Sequence, residues 1–254
     1  MLLTIDTGNT ETVLGLFDQT ELVSHWRVSS NADRTSDEHA LLVSDLLGLE
    51  GYAFEETVTG ISISSTVPGL TATLRQMTSR WFDVPTVVLE PGTKTGMPIL
   101  YDNPKEVGAD RIANAVGTYE LFGGPTVCVD FGTATTFDCI SEKGEYLGGV
   151  IIPGIGISMD ALFGRAAALR RVELVEPRNV IGKSTVESIQ SGAVYGFTGS
   201  VDAIVQRIEG ELGECTVVAT GGWSGLIAPL SESIQHYEPW ITLHGLRVIF
   251  ERNR

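Results

Sequence analysis

The chain begins MLLTIDTGNTETVLGLFD, residues 1–18, and returns to the same pattern at PTVCVDFGTATTFDCIS, residues 125–141. In each stretch an apolar strand ends in an aspartate, Asp6 or Asp130. One residue later comes a glycine, Gly8 or Gly132, and then a run of small hydroxyl or amide residues. Such a strand delivers a carboxylate to a tight turn where glycine removes side-chain bulk and exposed backbone N–H groups can cradle phosphate oxygens. Seen once, the pattern is also that of an ordinary β-hairpin turn. Its repetition at the same spacing asks for a shared explanation.

Outward from the first stretch, residues 2–6, 12–18 and 21–28 read as three short strands separated by turn residues. TSDEHALLVSDLLGLEG, residues 35–51, follows as a helix that Thr35 or Ser36 can cap, with Glu38 close behind and Gly48 or Gly51 at its end. VTGISISST (58–66) is a buried strand, VPGLTATLRQMTSRWF (67–82) a helix starting near Pro68, and PTVVLE (85–90) a further strand. The first half therefore reads βββαβαβ, and GADRIANAVGTYELFGG (108–124) supplies a helix leading to the second half.

There the order recurs: PTVCVDF, TTFDCIS and EYLGGVII as strands, a helix from about Ser158 to Ala168, a long helix from about Thr185 to Leu212, and CTVVATGG as a late buried strand. LHGLRVIFERNR (243–254) forms a terminal helix. Shared element order and shared Asp-x-Gly motifs predict an α/β protein made by internal duplication. The boundary is expected between residues 1–120 and 121–254, where Gly123, Gly124 and Pro125 punctuate the join.

Composition narrows the partners. The 254 residues are 43% hydrophobic and 19% charged, a globular profile with ample core material. The net charge of −15 sets a repulsive field against polyanions, so no nucleic-acid partner is expected. The densest basic stretch, GRAAALRRVEL with Arg165, Arg170 and Arg171, reads as a solvated helix face. Cys128, Cys139 and Cys215 form no CxxC pair, no leader pattern is visible at Met1, and no apolar run suits a membrane span. A cytoplasmic protein without a membrane partner is the expectation.

In DTGNT, Asp6 is well placed to hold Mg²⁺ directly or through water, with Thr7 and Thr10 adding hydroxyls and Asn9 tolerating unusual dihedrals. In DFGTATT, Asp130, Thr133, Thr135 and Thr136 offer the same chemistry, and two such turns facing each other would clamp a phosphate chain. In VVATGG (217–222), Gly221 and Gly222 leave room for a flat ring such as adenine. IGKST (181–185) is not a P-loop, because Pro177 stands where that motif needs glycine. His25, His39, His236 and His244 are too scattered to suggest a metal site.

Paired Asp-x-Gly hairpins in two similar halves, with a late glycine pair, resemble the superfamily of acetate and sugar kinases, Hsp70 and actin. That resemblance implies two ribonuclease-H-like domains with an ATP cleft between them. YDNPKEVGADRIANAVG (101–117), followed by VDFGTATT, GGVIIPGI (148–155) and IGKSTVESIQSGAVYGF (181–197), is similar more narrowly to type III pantothenate kinase.

The narrower resemblance implies transfer of the ATP γ-phosphoryl group to the 4′-hydroxyl of pantothenate, the first step of coenzyme A synthesis. Asp110 would be the general base, its place at a helix start favouring the ionised form. Arg111 would hold the substrate carboxylate through a forked contact. Tyr101 and the segment Gly108, Ala109, Asp110 and Arg111 would line the pantothenate pocket, and Thr185 would reach it from the partner subunit of a homodimer. Asp6, Thr7, Gly8, Asn9, Thr10, Glu11, Thr12 and Val13 would surround the ATP phosphates, with Thr133 adding a contact. Asp130 would bind a monovalent cation, K⁺ or NH₄⁺. Glu11 departs from the amide or basic residue commoner there, so its carboxylate is expected to point away from the phosphates or to help hold metal. Two alternatives stand beside this reading: a sugar or acetate kinase of the same superfamily, and an inactive regulatory or accessory protein on the same fold.

Overall fold

The computed structural model describes residues 1–166 and 168–254. Contacts divide the chain into two compact units, Met1–Glu120 with Ile241–Arg254, and Leu121–Trp240.

In the first unit, β1 (Leu2–Thr7) pairs antiparallel with β2 (Glu11–Asp18), which pairs antiparallel with β3 (Glu21–Ser29). Helix α1 (Ser36–Leu49) is opened by a capping box in which Thr35 accepts from the Glu38 N–H and the Glu38 side chain accepts from the Thr35 N–H. After the single turn α2 (Phe54–Thr57), β4 (Gly60–Ser65) runs parallel to β1. Helix α3 (Pro68–Trp81), with proline at its start, leads to β5 (Thr86–Val88), parallel to β4. The strand order is β3-β2-β1-β4-β5. Leu3, Ile5, Ile61 and Ile63 are fully buried with Val43 and Leu47 of α1 and Leu74 and Met77 of α3. Each such side chain removed from water contributes roughly 1.5–3 kcal/mol.

A short 3-10 turn, Pro104–Glu106, precedes α4 (Ala109–Phe122). The second unit then repeats the plan. β6 (Thr126–Phe131), β7 (Ala134–Ile140) and β8 (Tyr146–Pro153) form an antiparallel meander. Helices α5 (Ile155–Arg165) and α6 (Thr185–Leu212) follow, and β9 (Thr216–Thr220) lies parallel to β6. After α7 (Ser224–Ile227) and a 3-10 turn at Ala228–Leu230, β10 (His236–Tyr237) completes the order β10-β9-β6-β7-β8. Position for position this matches the first sheet in strand order and direction, which is the duplication expected from the two motifs. Val127, Val129, Phe131 and Phe137 form its core with Val194, Val201 and Val205 of α6.

Three details differ from the sequence reading. Helix α5 starts at Ile155 rather than near Ser158, because the chain turns as soon as β8 ends and the Gly154 N–H donates to Thr133 O at 3.1 Å. It ends at Arg165 rather than at about Ala168, and residue 167 lies outside the described residues. The terminal helix α8 (Ile241–Asn253) groups with the first unit, whereas the sequence reading assigned residues 121–254 to one domain. The reason is a close crossing of α4 and α8: a Cβ on Gly245 would sit 1.9 Å from Ala113 O, and one on Gly117 2.3 Å from Ile241 O. Thr242 Oγ1 also donates to Asn114 Oδ1 at 2.6 Å, and Ser62 Oγ of β4 donates to Leu246 O at 2.9 Å. The third difference concerns the two turns. Three residues separate β1 from β2 but only two separate β6 from β7, so the matching motifs close hairpins of different length.

Candidate active site

The first unit gathers most of the predicted residues at two places. Asp6 and Thr7 end β1, Gly8, Asn9 and Thr10 make the turn, and Glu11, Thr12 and Val13 begin β2. The Gly8 N–H donates to Glu11 O at 2.9 Å and closes the turn. Ser30, which the sequence reading did not single out, braces it from the end of β3. Its hydroxyl donates to Gly8 O at 2.7 Å and lies 2.9 Å from Thr12 Oγ1, and its N–H donates to Thr10 O at 2.9 Å. Asn9, Thr10 and Glu11 are exposed, while Thr7 and Thr12 are buried beneath them. A second unforeseen partner is Ser64 of β4, whose hydroxyl donates to Asp6 Oδ1. Glu11 pairs with a cation of its own chain: its Oε2 lies 2.6 Å from Arg27 Nη1.

The second place is the start of α4. Tyr101 is partly exposed, and Asn103 caps the 3-10 turn by accepting from the Lys105 N–H at 3.3 Å. Gly108 then lets the chain fold back, since a Cβ there would come within 2.5 Å of Asp110 Oδ1. That same oxygen accepts from the Arg111 N–H at 2.9 Å. Arg111 is buried. Burial pushes the Asp110 carboxyl above the ordinary carboxylate range, and the Arg111 N–H and guanidinium, which favour the ionised form, offset this only in part. The helix start was expected to favour ionisation; desolvation outweighs it. A mostly apolar cavity of about 940 Å³ adjoins α4 through Ala109 and Ile112.

In the second unit, Asp130 is the last residue but one of β6 and Thr133 sits in the following turn. Gly221 has a φ of +89°, and a Cβ there would lie 2.4 Å from Asp130 Oδ1 and 2.6 Å from Phe131 N. Its bareness therefore serves Asp130 directly. On another side of the turn, a Cβ on Gly154 would lie 2.2 Å from Thr133 O. Gly222 leads into Trp223, whose N–H donates to Phe131 O at 3.4 Å. Thr185 is the first residue of α6, exposed, just after the capping Ser184, and borders an open groove of about 320 Å³ with Met159 and Leu162 of α5.

Among the described residues no three His, Cys, Asp or Glu side chains gather to hold a metal by themselves. Mg²⁺ in nucleotide sites is held by one or two carboxylates together with substrate phosphates and water, so a single carboxylate at a turn suits it. Among those residues, too, no helix is long and apolar enough to cross a membrane.

Carboxylates at two strand-to-turn junctions, and an aspartate–arginine pair at a helix start, are the parts a phosphoryl-transfer enzyme needs. The model of the type III pantothenate kinase family matches residues 2–207. The chain belongs to this family. A type III pantothenate kinase of Streptomyces griseus is 56% identical over 261 residues, covering 100% of this chain and 98% of that protein. Among solved structures, a conserved putative Baf family transcriptional activator from Campylobacter jejuni has a TM-score of 0.61 at 20% identity, covering 99% of this chain and 98% of that one. A ROK hexokinase from Thermus thermophilus has a TM-score of 0.54 at 14% identity, covering 99% and 98%. At these identities the structural likeness is one of fold alone. The activity is that of a pantothenate kinase, which phosphorylates an alcohol acceptor at the expense of ATP.

Proposed function

We propose that Asp110 is the general base of this kinase and accepts the proton of the pantothenate 4′-hydroxyl. The observation that carries the assignment is the Asp110 carboxylate, folded back over Gly108 at the start of α4 and steadied by the Arg111 N–H at 2.9 Å. Phosphoryl transfer needs in-line positioning and charge neutralisation above all, so one placed carboxylate is a sufficient protein base. A carboxyl held above its usual range is also a better proton acceptor once ionised. Arg111 binds the substrate carboxylate, and Tyr101 and Gly108–Arg111 line its pocket.

In the same reading the turn from Asp6 to Val13 surrounds the ATP phosphates, Asp6 holds Mg²⁺, and Thr133 adds a contact. Mg²⁺, when bound, neutralises phosphate charge. Gly221 and Gly222 belong to the nucleotide site, and Asp130 holds K⁺ or NH₄⁺, a hard cation suited to oxygen donors. The protein works as a homodimer in which Thr185 serves the partner's pocket. Support for this comes from the apolar residues around Thr185 that stand in water in the single chain: Val180 is 67% exposed, Ile181 81% and Val186 47%. We place the enzyme in the cytoplasm, where ATP is available, and take the two units as its two domains.

The test is release of ADP from Mg²⁺ and ATP, with and without pantothenate and with K⁺ exchanged for Na⁺. Turnover that requires pantothenate and K⁺ is the expected result. Turnover with hexoses instead, or none with any acceptor, would return the protein to a sugar kinase or an accessory role.

A further inference from the structure

Strand β4 reads GISISS and is buried on both faces. Ile61 and Ile63 enter the apolar cluster on one face, while Ser62 and Ser64, both without exposed surface, lie on the other. A buried hydroxyl with no partner is destabilising, so each serine needs an acceptor. Ser62 finds a backbone carbonyl, Leu246 O at 2.9 Å. Ser64 finds the side chain of Asp6, donating to Oδ1. The parallel register places these two residues side by side, Asp6 opposite Ser64.

We propose that Ser64 is a positioning residue for phosphoryl transfer, fixing the direction in which Asp6 presents its carboxylate to the Mg²⁺ and phosphates of the nucleotide. This rests on the reading that Asp6 serves the nucleotide. A part-buried, charge-assisted hydrogen bond to one oxygen of a carboxylate restricts its rotation about the Cβ–Cγ bond and so favours one direction for the second oxygen. Ser64 is itself held by its pairing with Asp6 in the parallel β1–β4 ladder, one residue past the β4–β5 ladder that ends at Ile63. Groups that orient a metal-binding carboxylate in this way change metal affinity by about 10- to 100-fold when removed.

The same strand supplies the control. Ser62→Ala also deletes a buried serine hydroxyl, but one bonded to a helix carbonyl. The experiment compares Ser64→Ala, Ser64→Thr, Ser62→Ala and Asp6→Asn in the full chain. It measures Tm, Mn²⁺ binding to the enzyme–ADP complex by electron paramagnetic resonance, and the Mg²⁺ dependence of kcat. Ser64→Ala is expected to weaken Mn²⁺ binding and raise the Mg²⁺ requirement about 10-fold. Ser64→Thr, which keeps the hydroxyl, should restore both, and Ser62→Ala should lower Tm alone. If Asp6→Asn shifts the metal constants while Ser64→Ala matches Ser62→Ala, Ser64 is only a satisfied buried serine and the proposal is overturned. If Asp6→Asn itself leaves Mn²⁺ binding unchanged, the reading of Asp6 falls first and this inference with it.

Discussion

Arg27 on β3 places its Nη1 2.6 Å from Oε2 of Glu11, the first residue of β2. The pair spans the ladder diagonally, since Arg27 stands opposite Val13 and Glu11 opposite Ser29. It accounts for a carboxylate beside a turn proposed to bind phosphate: the guanidinium offsets the charge. Both side chains are well exposed, 39% and 47%, so the pair adds little to stability. Its effect should appear in nucleotide binding. Arg27→Ala is expected to raise the KM for ATP, and the double variant Glu11→Gln/Arg27→Ala to bring it back, with Tm nearly constant throughout. A KM for ATP that ignores Arg27→Ala would mean that Glu11 does not face the nucleotide.

Asp110 is held protonated more readily in the folded chain than in the unfolded one, because burial raises its pKa. In the window between the unfolded value and the raised folded one, the native state binds more protons, so stability falls as pH rises through that window. Above it the ionised carboxylate is a standing cost. Asp110→Asn should therefore melt higher than wild type at neutral pH, and the difference should shrink on acidification. Calorimetry at several pH values checks this, and a lower melting temperature for Asp110→Asn at neutral pH would contradict the burial argument.

Gly221 combines a positive φ with direct contact to the Asp130 carboxylate. Gly221→Ala should cost about 2–4 kcal/mol from backbone strain and overpacking together. Since the intruding methyl meets Asp130 Oδ1, the K⁺ activation of turnover should weaken more than the KM for pantothenate. Denaturant melts and K⁺ titrations separate the two effects. Full K⁺ activation in a destabilised Gly221→Ala enzyme would argue against Asp130 as the cation site.

Thr185 and Asp110 are proposed to meet only across a dimer. Asp110→Asn and Thr185→Ala should each have low pantothenate-dependent turnover alone, yet a refolded mixture should regain part of it, because a hybrid dimer contains one intact site. Ile181→Asp should give a monomer by sedimentation. Absence of complementation, together with a dimer that survives Ile181→Asp, would place Thr185 outside the partner's site.

Much of this was legible in the sequence because it is local. The two Asp-x-Gly turns, the Thr35 cap and the span of α6 from Thr185 to Leu212 each depend on residues a few positions apart. What escaped depends on pairing across the chain. Ser64 touches Asp6 from 58 positions away, Ser30 braces Gly8 from 22, and nothing in either segment announces the other. The alternation Ile-Ser-Ile-Ser in β4 was the available signal, since serines buried on a two-faced strand must find acceptors. The grouping of α8 with the first unit was hidden for the same reason: it is decided by Gly117 and Gly245 at a helix crossing, and helix glycines carry no label saying what approaches them. The upward shift at Asp110 needed burial, which local sequence does not give.

The central claim is that Asp110 takes the proton of the pantothenate hydroxyl. The most direct measurement is single-turnover formation of 4′-phosphopantothenate, followed by mass spectrometry, for wild type and Asp110→Asn with Tm and ATP binding measured in parallel. A folded variant that still binds ATP but forms product about 10²- to 10⁴-fold more slowly is expected, the range for loss of a general base. Product formation by folded Asp110→Asn at the wild-type rate would contradict it.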